Sequence, residues 1–215
     1  LIMGLGLLLA IMAWGWHSRL GRVSSAVQSA LFFPWLLTIA IVAMTWEWLF
    51  DWDYGLIQYA LQLLGIDKIQ FLSSSAWVLP SIAIATAWWL VGYRMLVFIA
   101  GLGDIPDELF DAAKIDGAKP WHSFFLIILP LMKPSLLFSL VLTILAGFRS
   151  FGQMLIMTEG GPGRSSEVLA LYLYRTGFEY FELGKAAAAG VVLLAIVLVL
   201  TLLGVRMIGL KSELQ

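Results

Sequence analysis

Between Lys185 and Arg206 the chain runs from Ala186 to Val205 without a single charge. That is the length a bilayer-spanning helix needs, about 20 apolar residues. Four further apolar segments make the same demand: Leu1 to Trp16, Leu31 to Leu49, Trp77 to Leu102 and Leu131 to Phe151. Of the 215 residues, 61% are hydrophobic and 13% charged, against roughly 45–50% and 25% in soluble domains. One aqueous core cannot absorb that much apolar surface. The sequence therefore predicts an all-α membrane protein, a polytopic helical bundle of about five core transmembrane helices, with residues 1–215 forming a single transmembrane domain. Ten Trp and 13 Phe suit the two membrane interfaces, where amphipathic rings settle at headgroup level.

Several function classes drop out on chemistry. Lys+Arg 13 against Asp+Glu 14 leaves a net charge of -1, so no basic field attracts nucleic acid. The absence of Cys removes disulfides, thiolate nucleophiles and thiolate metal sites together. His17 and His122 are expected in loops, with no ligand set at metal spacing around either. No metal site and no catalytic residue is expected, nor any cofactor bound by this chain. An intramembrane enzyme should show an acid–base pair or nucleophile within a span.

Leu1 to Trp16 falls about four residues short of a full span, as if the sequence began inside a helix. A signal peptide is the other reading of this run, but it has no basic leading region. Pro34 and Pro80 are expected in the first turns of their helices, where a missing N–H costs little. Pro130 and Pro134 predict a break ahead of the fourth span, with a short surface helix before it. Arg19 and Arg22, Lys114 and Lys119, and Arg206 and Lys211 mark three connections as cytoplasmic by the positive-inside tendency. Asp51, Asp53 and Asp67, with Lys68 alone, suit an outer loop from Phe50 to Ala76. Arg149, Arg164, Arg175 and Lys185 run against this alternation, accompanied by Glu159, Glu167, Glu179 and Glu182.

Asp104 to Gly117 is a polar interruption in this apolar chain. It reads as a short amphipathic helix outside the membrane, about 104–117. Asp104 can cap it, Pro106 falls in its first turn, and Asp107 and Glu108 suit the positive end of the macrodipole. Gly117 supplies a left-handed stop, and Pro120 restarts a helix. Ile105, Leu109, Ala112 and Ala113 recur at helical spacing, giving a face with small residues that fits a partner's groove.

The run Asp111-Ala112-Ala113, three residues, Gly117, nine residues, Ile127, one residue, Leu129-Pro130 resembles the EAA loop of ABC importer permeases, with Asp111 standing where that family usually has Glu. Leu31 to Trp35, Trp46 to Phe50, Asp53 to Ile57, Asp116-Gly117-Ala118, Gly160 to Gly163 and Tyr174 to Phe178 are similar to further marks of the carbohydrate-uptake branch. The resemblance implies a permease subunit for a sugar or related polyol or sugar phosphate. It would sit, multi-pass, in a bacterial or archaeal cytoplasmic (inner) membrane, and the chain would lack the N-terminal helix that precedes the core. Implied partners are a second permease subunit, two cytoplasmic ABC ATPases that carry ATP and Mg, an extracytoplasmic solute-binding protein, and the small-molecule solute. Glu108, Asp111, Ala112, Ala113, Asp116 and Gly117 would form the cytoplasmic coupling helix that the ATPase grips. A permease for amino acids, peptides or phosphate stays open beside this, as does a stand-alone secondary transporter, though inverted repeats are not apparent.

Candidate pathway residues lie on two helices. Arg94 is a charge inside the third span, either lining a path or snorkelling to the interface. Trp88, Trp89 and Tyr93 share its helix and can stack on a sugar ring or pack against neighbours. Thr143, Gly147, Ser150 and Gln153 form a mildly polar stripe on the fourth span, for solute or for helix–helix hydrogen bonds. Glu47, between Trp46 and Trp48, reads as an interfacial anchor. Gly101-Leu102-Gly103 reads as a hinge or turn, and Gly160 to Gly163 as a turn cluster on the outer side.

Overall fold

The run Ala186 to Val205 lies inside one helix, Leu183–Ile208, as its hydropathy requires. This computed structural model describes residues 1–208, without the side chains of 16–23, 149 and 208; Lys211 lies outside the described residues. The helices are α1 (Ile2–Phe32), α2 (Ile39–Leu49), α3 (Leu56–Leu63), α4 (Val78–Gly103), α5 (Asp107–Ile115), α6 (Pro120–Leu131), α7 (Lys133–Arg149), α8 (Phe151–Thr158), α9 (Leu169–Tyr174) and α10 (Leu183–Ile208). No strand occurs among the described residues. Among the described residues two helices, α4 and α10, are long and apolar enough to cross a bilayer unaided. Two more spans arise if each broken helix pair counts as one, and Ile2–Gly15 is a shorter apolar piece.

The chain divides into two compact units. The first comprises Leu1–Phe33, Leu90–Ile144 and the chain from Leu200; the second comprises Pro34–Trp89 and Leu145–Val199. In the first, Ala10, Met95, Phe98, Leu102, Ile105 and Met132 form the core, with Trp14, Leu31 and Phe110 against it. In the second, Ala43, Phe50, Phe71, Val78, Ile82 and Met157 do so.

The connection expected around His17, Arg19 and Arg22 lies among residues 16–23, outside those described in full. The pieces of α1 on either side of it lie close together: Ser24 Oγ donates to the Ala13 carbonyl at 3.3 Å, whereas eleven residues of straight helix would separate them by about 16 Å. Leu31 to Leu49 is not one continuous helix but a pair bent by 101°. Pro34 sits in a 3₁₀ turn, Phe33–Leu36, rather than in a first turn, because its ring and missing N–H end the incoming helix. Thr38 then caps α2, its Oγ1 accepting from Ile41 N at 3.5 Å.

Leu131 to Phe151 is likewise interrupted at both ends. Helix α6 carries a π turn, Phe124–Ile128, and meets α7 at 69°, the break that Pro130 and Pro134 require; Pro134 falls in the first turn of α7, where its missing N–H is harmless. At the other end Ser150 leaves the helical region at φ -80, ψ 47. Its Oγ donates back to the Ala146 carbonyl at 2.5 Å, a bond that competes with the helix ladder. Pro80 does fall in the first turn of α4. Gly101 and Gly103 belong to the last turn of α4 rather than to a hinge; a Cβ on Gly101 would meet Ser135 Oγ at 2.3 Å, so Gly101 admits α7.

The loop between α2 and α3 is held by one carboxylate. Asp51 Oδ1 accepts from Asp53 N at 2.9 Å and Tyr54 N at 2.8 Å. The bond from Tyr54 first, then that from Asp53, holds the Asp51 carboxyl below the usual aspartate value, with Lys68 adding to the effect. A depressed carboxyl contributes order that is complete above its unfolded value and is lost only as pH falls through the lowered folded value. This turn should therefore keep its hydrogen-exchange protection at mildly acidic pH. Asp51→Ala should speed exchange at Asp53 and Tyr54 roughly three- to tenfold at neutral pH; unchanged rates would mean the carboxylate is incidental.

Candidate functional site

The polar segment ahead of α6 is built as a self-contained helix with defined stops. Pro106, in extended conformation at ψ 134, is its N-cap, and no side chain caps it; Asp104 therefore does not take the expected role. Pro106 cannot continue a helix from its N-terminal side but leads into one, so Asp107 and Glu108 occupy the first turn, beside the free N–H groups. At the other end Gly117 adopts φ 72. Ala118 N donates to the Ala113 carbonyl at 2.9 Å and Gly117 N to the Lys114 carbonyl at 3.1 Å, the paired bonds of a Schellman stop.

The amphipathic face is rotated from the one the spacing suggested. Ile105 is buried and Phe110 packs against the core of the first unit. Leu109, Ala112 and Asp116 are exposed, Ala113 is half-buried, and Ile115 is 87% exposed. Phe110 was not on the expected apolar face because the large ring, not the small alanines, fills the nearest gap. The small face thus stays free. Asp111 pairs with Lys114 at 2.7 Å, one turn on, with both side chains mostly in water. This contact raises the Lys114 ammonium pKa, yet water screens so exposed a pair, and Asp111 can exchange partners at little cost.

Arg94 sits 17 residues into α4 counting from Val78, and it is 2% exposed. Gly6 of α1 lies on it: a Cβ there would fall 2.8 Å from Arg94 Cβ. The guanidinium carbon lies 5.2 Å from the centroid of the Tyr93 ring, while Nε and Nη1 have no hydrogen-bond partner among the described residues. Burying an unpaired charge costs on the order of several kcal/mol, and a desolvated cation–π contact returns only about 2 kcal/mol.

The remaining pathway candidates are engaged locally. In the second unit, Trp89 Nε1 donates to the Leu37 carbonyl at 3.2 Å, and its ring lies 5.8 Å from Trp35. It satisfies a carbonyl freed by the break at Pro34. Trp88 meets Trp46 edge-on at 5.8 Å. Gln153 is fully buried on α8 and bonds Thr86, whose Oγ1 lies 2.6 Å from Oε1 and 2.7 Å from the Ile82 carbonyl. One hydroxyl proton cannot serve both oxygens. Turned over, the amide donates through Nε2 to Thr86, which then donates to Ile82; Nε2 otherwise has no partner. Gly147 and Ser150 belong to the same unit, and a Cβ on Gly147 would meet nothing within 4 Å. Thr143, in the first unit, donates to the Ser139 carbonyl at 2.7 Å. The four do not form one stripe, because the break at Ser150 ends the helix that their spacing assumed.

Three features escaped the sequence. Glu47 is exposed and borders a pocket in the second unit lined also by Asp51, Trp52, Gln70, Ser73 and Thr158. Gln58, buried, closes that loop by donating to and accepting from the backbone of Ile69; a lone Gln in an apolar stretch was its only signal. His122 lies in the first turn of α6 rather than in a loop, stacked on Trp121. The Gly160 to Gly163 cluster is a turn as expected, with Glu159, Gly160 and Gly163 all at positive φ.

Residues 2–209 match the family model described as "binding-protein-dependent transport system inner membrane component". The sulfoquinovosyl glycerol transport system permease protein of Agrobacterium fabrum is 33% identical over 215 residues, covering 99% of this chain and 67% of that one. The sn-glycerol-3-phosphate transport system permease protein of Rhizobium meliloti is 38% identical over 203 residues, covering 94% and 67%. Among solved structures, a bacterial ABC transporter involved in the import of the acidic polysaccharide alginate superposes with a TM-score of 0.85 at 25% identity, covering 97% of this chain and 73% of that one. The chain spans about two thirds of the length of the curated relatives it matches.

Proposed function

This chain belongs to the family of binding-protein-dependent transport system inner membrane components, and we propose that it is the permease subunit of an ATP-driven importer for a sugar, polyol or sugar phosphate. It forms half of the translocation path with a second permease subunit, in a bacterial or archaeal cytoplasmic membrane. Two cytoplasmic ATPases carry ATP and Mg, and an external binding protein delivers solute.

The observation that carries this reading is α5: a helix of nine residues, stopped by Gly117, that keeps its small face free while Ile105 and Phe110 anchor it to the first unit. A lever of this kind transmits a bias without chemistry of its own. Nucleotide favours one arrangement of the ATPases, and a helix docked in their surface passes that preference to the elements it is anchored to. Glu108, Asp111, Ala112, Ala113, Asp116 and Gly117 are the residues of this docking segment. The carbohydrate assignment is supported by the named cargoes of the relatives, which are sugar or glycerol derivatives.

Purification of the intact complex and measurement of ATP hydrolysis against a solute panel tests the proposal. Stimulation by a carbohydrate in the presence of the binding protein is expected. A complex without an ATPase, or one that responds to amino acids or peptides alone, would overturn it.

A further inference from the structure

Arg94 is a buried cation with no ion-pair partner among the described residues. Its Nε and Nη1 lack acceptors among the described residues, and the Tyr93 ring stands 5.2 Å from the guanidinium carbon. Every carboxylate in the sequence lies between positions 47 and 67, 104 and 116, or 159 and 182, or at 213. None of the described ones is on α1, on α4 or on the part of α7 in the first unit. Arg94 is nine residues from the end of α4, about 14 Å of helix, and its 2% exposure shows that the side chain does not escape to the surface.

A neutral sugar can accept hydrogen bonds from a guanidinium but cannot neutralise it. A carboxylate, phosphate or sulfonate does both, and a planar donor fork suits each. Resting on the importer reading above, we infer that the solute is an acidic one, a sugar or polyol carrying a carboxylate, phosphate or sulfonate, and that Arg94 reads its charge. The arrangement in which Arg94 is enclosed between α1 and α4 is then the one without cargo, and Gly6, which lets α1 close on it, sets how tightly.

The test uses the whole complex with its binding protein in proteoliposomes. Uptake and stimulated ATP hydrolysis are measured for two matched pairs, sn-glycerol 3-phosphate against glycerol, and trigalacturonate against maltotriose. At least one acidic member should be taken up and its neutral counterpart should not. Arg94→Gln should raise the half-saturating concentration of the acidic solute about tenfold or more, the loss expected for a charge-assisted hydrogen bond. Arg94→Lys should fall between, and both variants should still co-purify with the ATPase. Uptake confined to a neutral member sinks the inference while leaving the carbohydrate reading intact; a complex that responds to no member of either pair removes both. Wild-type uptake in Arg94→Gln, or loss of assembly in it, also overturns the inference, the latter because the charge would then be paired inside the assembly.

Discussion

Ala113→Trp is expected to reach the membrane in normal amount, to transport nothing, and to bring down little or no ATPase on purification. Ala113 is half-buried on α5, one turn before its C-cap, and its carbonyl already serves the Gly117 stop through Ala118 N. The helix itself tolerates Trp at modest cost. What cannot tolerate it is a groove fitted to a methyl group, where overpacking costs about 1–3 kcal/mol, or roughly five- to 150-fold in affinity. Gly117→Val attacks the same device by another route. Nothing lies within 4 Å of a Cβ there, so the change creates no clash, but φ 72 is hostile to a β-branched residue. The stop should fray and α5 should lose its fixed length. Leu109→Ala, on the same helix, serves as the mild comparison. Full transport together with full ATPase recovery in both Ala113→Trp and Gly117→Val would remove α5 from the coupling path.

Why α5 was legible and the spans less so follows from what each depends on. The helix Asp107–Ile115 is set by local chemistry: acids at its start, glycine at its end, proline on either side. All of that is written within a dozen residues. Its N-cap slipped by two positions, from Asp104 to Pro106, because capping was inferred from a side chain that the backbone does not use. The length of the last span was equally readable, since hydropathy alone decides it. The breaks at Pro34 and Ser150 were not. Around each, partners distant in sequence hold the bent chain, Trp89 donating to the Leu37 carbonyl beyond the first and Thr86 meeting Gln153 beyond the second, and such partners are invisible to a window that slides along one segment. The same holds for the candidate path. Spacing of four and three aligned Thr143, Gly147, Ser150 and Gln153 only on the premise of an unbroken helix. Arg94, by contrast, announced itself as a charge in an apolar run, and its enclosure by Gly6 is a tertiary fact that no periodicity contains.

Gly92 carries the largest expected effect on folding. It is buried on α4 between Val91 and Tyr93, and a Cβ there would stand 1.9 Å from the Leu31 carbonyl oxygen, 2.5 Å from its carbon and 2.8 Å from Phe32 Cα. All three obstacles are backbone, so no rotamer change can relieve them. They belong to the last turn of α1, just ahead of the proline that stops it, where the chain has least freedom to retreat. Backbone-to-backbone approach of this kind is how membrane helices gain dispersion contact when lipid removes the hydrophobic drive. Gly92→Ala should therefore cost more than the usual overpacking range of about 1–3 kcal/mol, and Gly92→Leu should leave no folded protein to purify. Gly4→Ala is the opposite case: Gly4 lies within α1 with nothing within 4 Å of a Cβ, so helix propensity should make the change neutral or stabilising by up to about 1 kcal/mol. Thermal unfolding in detergent, with the yield of inserted protein, reads both. If Gly92→Ala melts with the wild type, the close contact between α1 and α4 is wrong, and with it the enclosure of Arg94 by the same pair of helices.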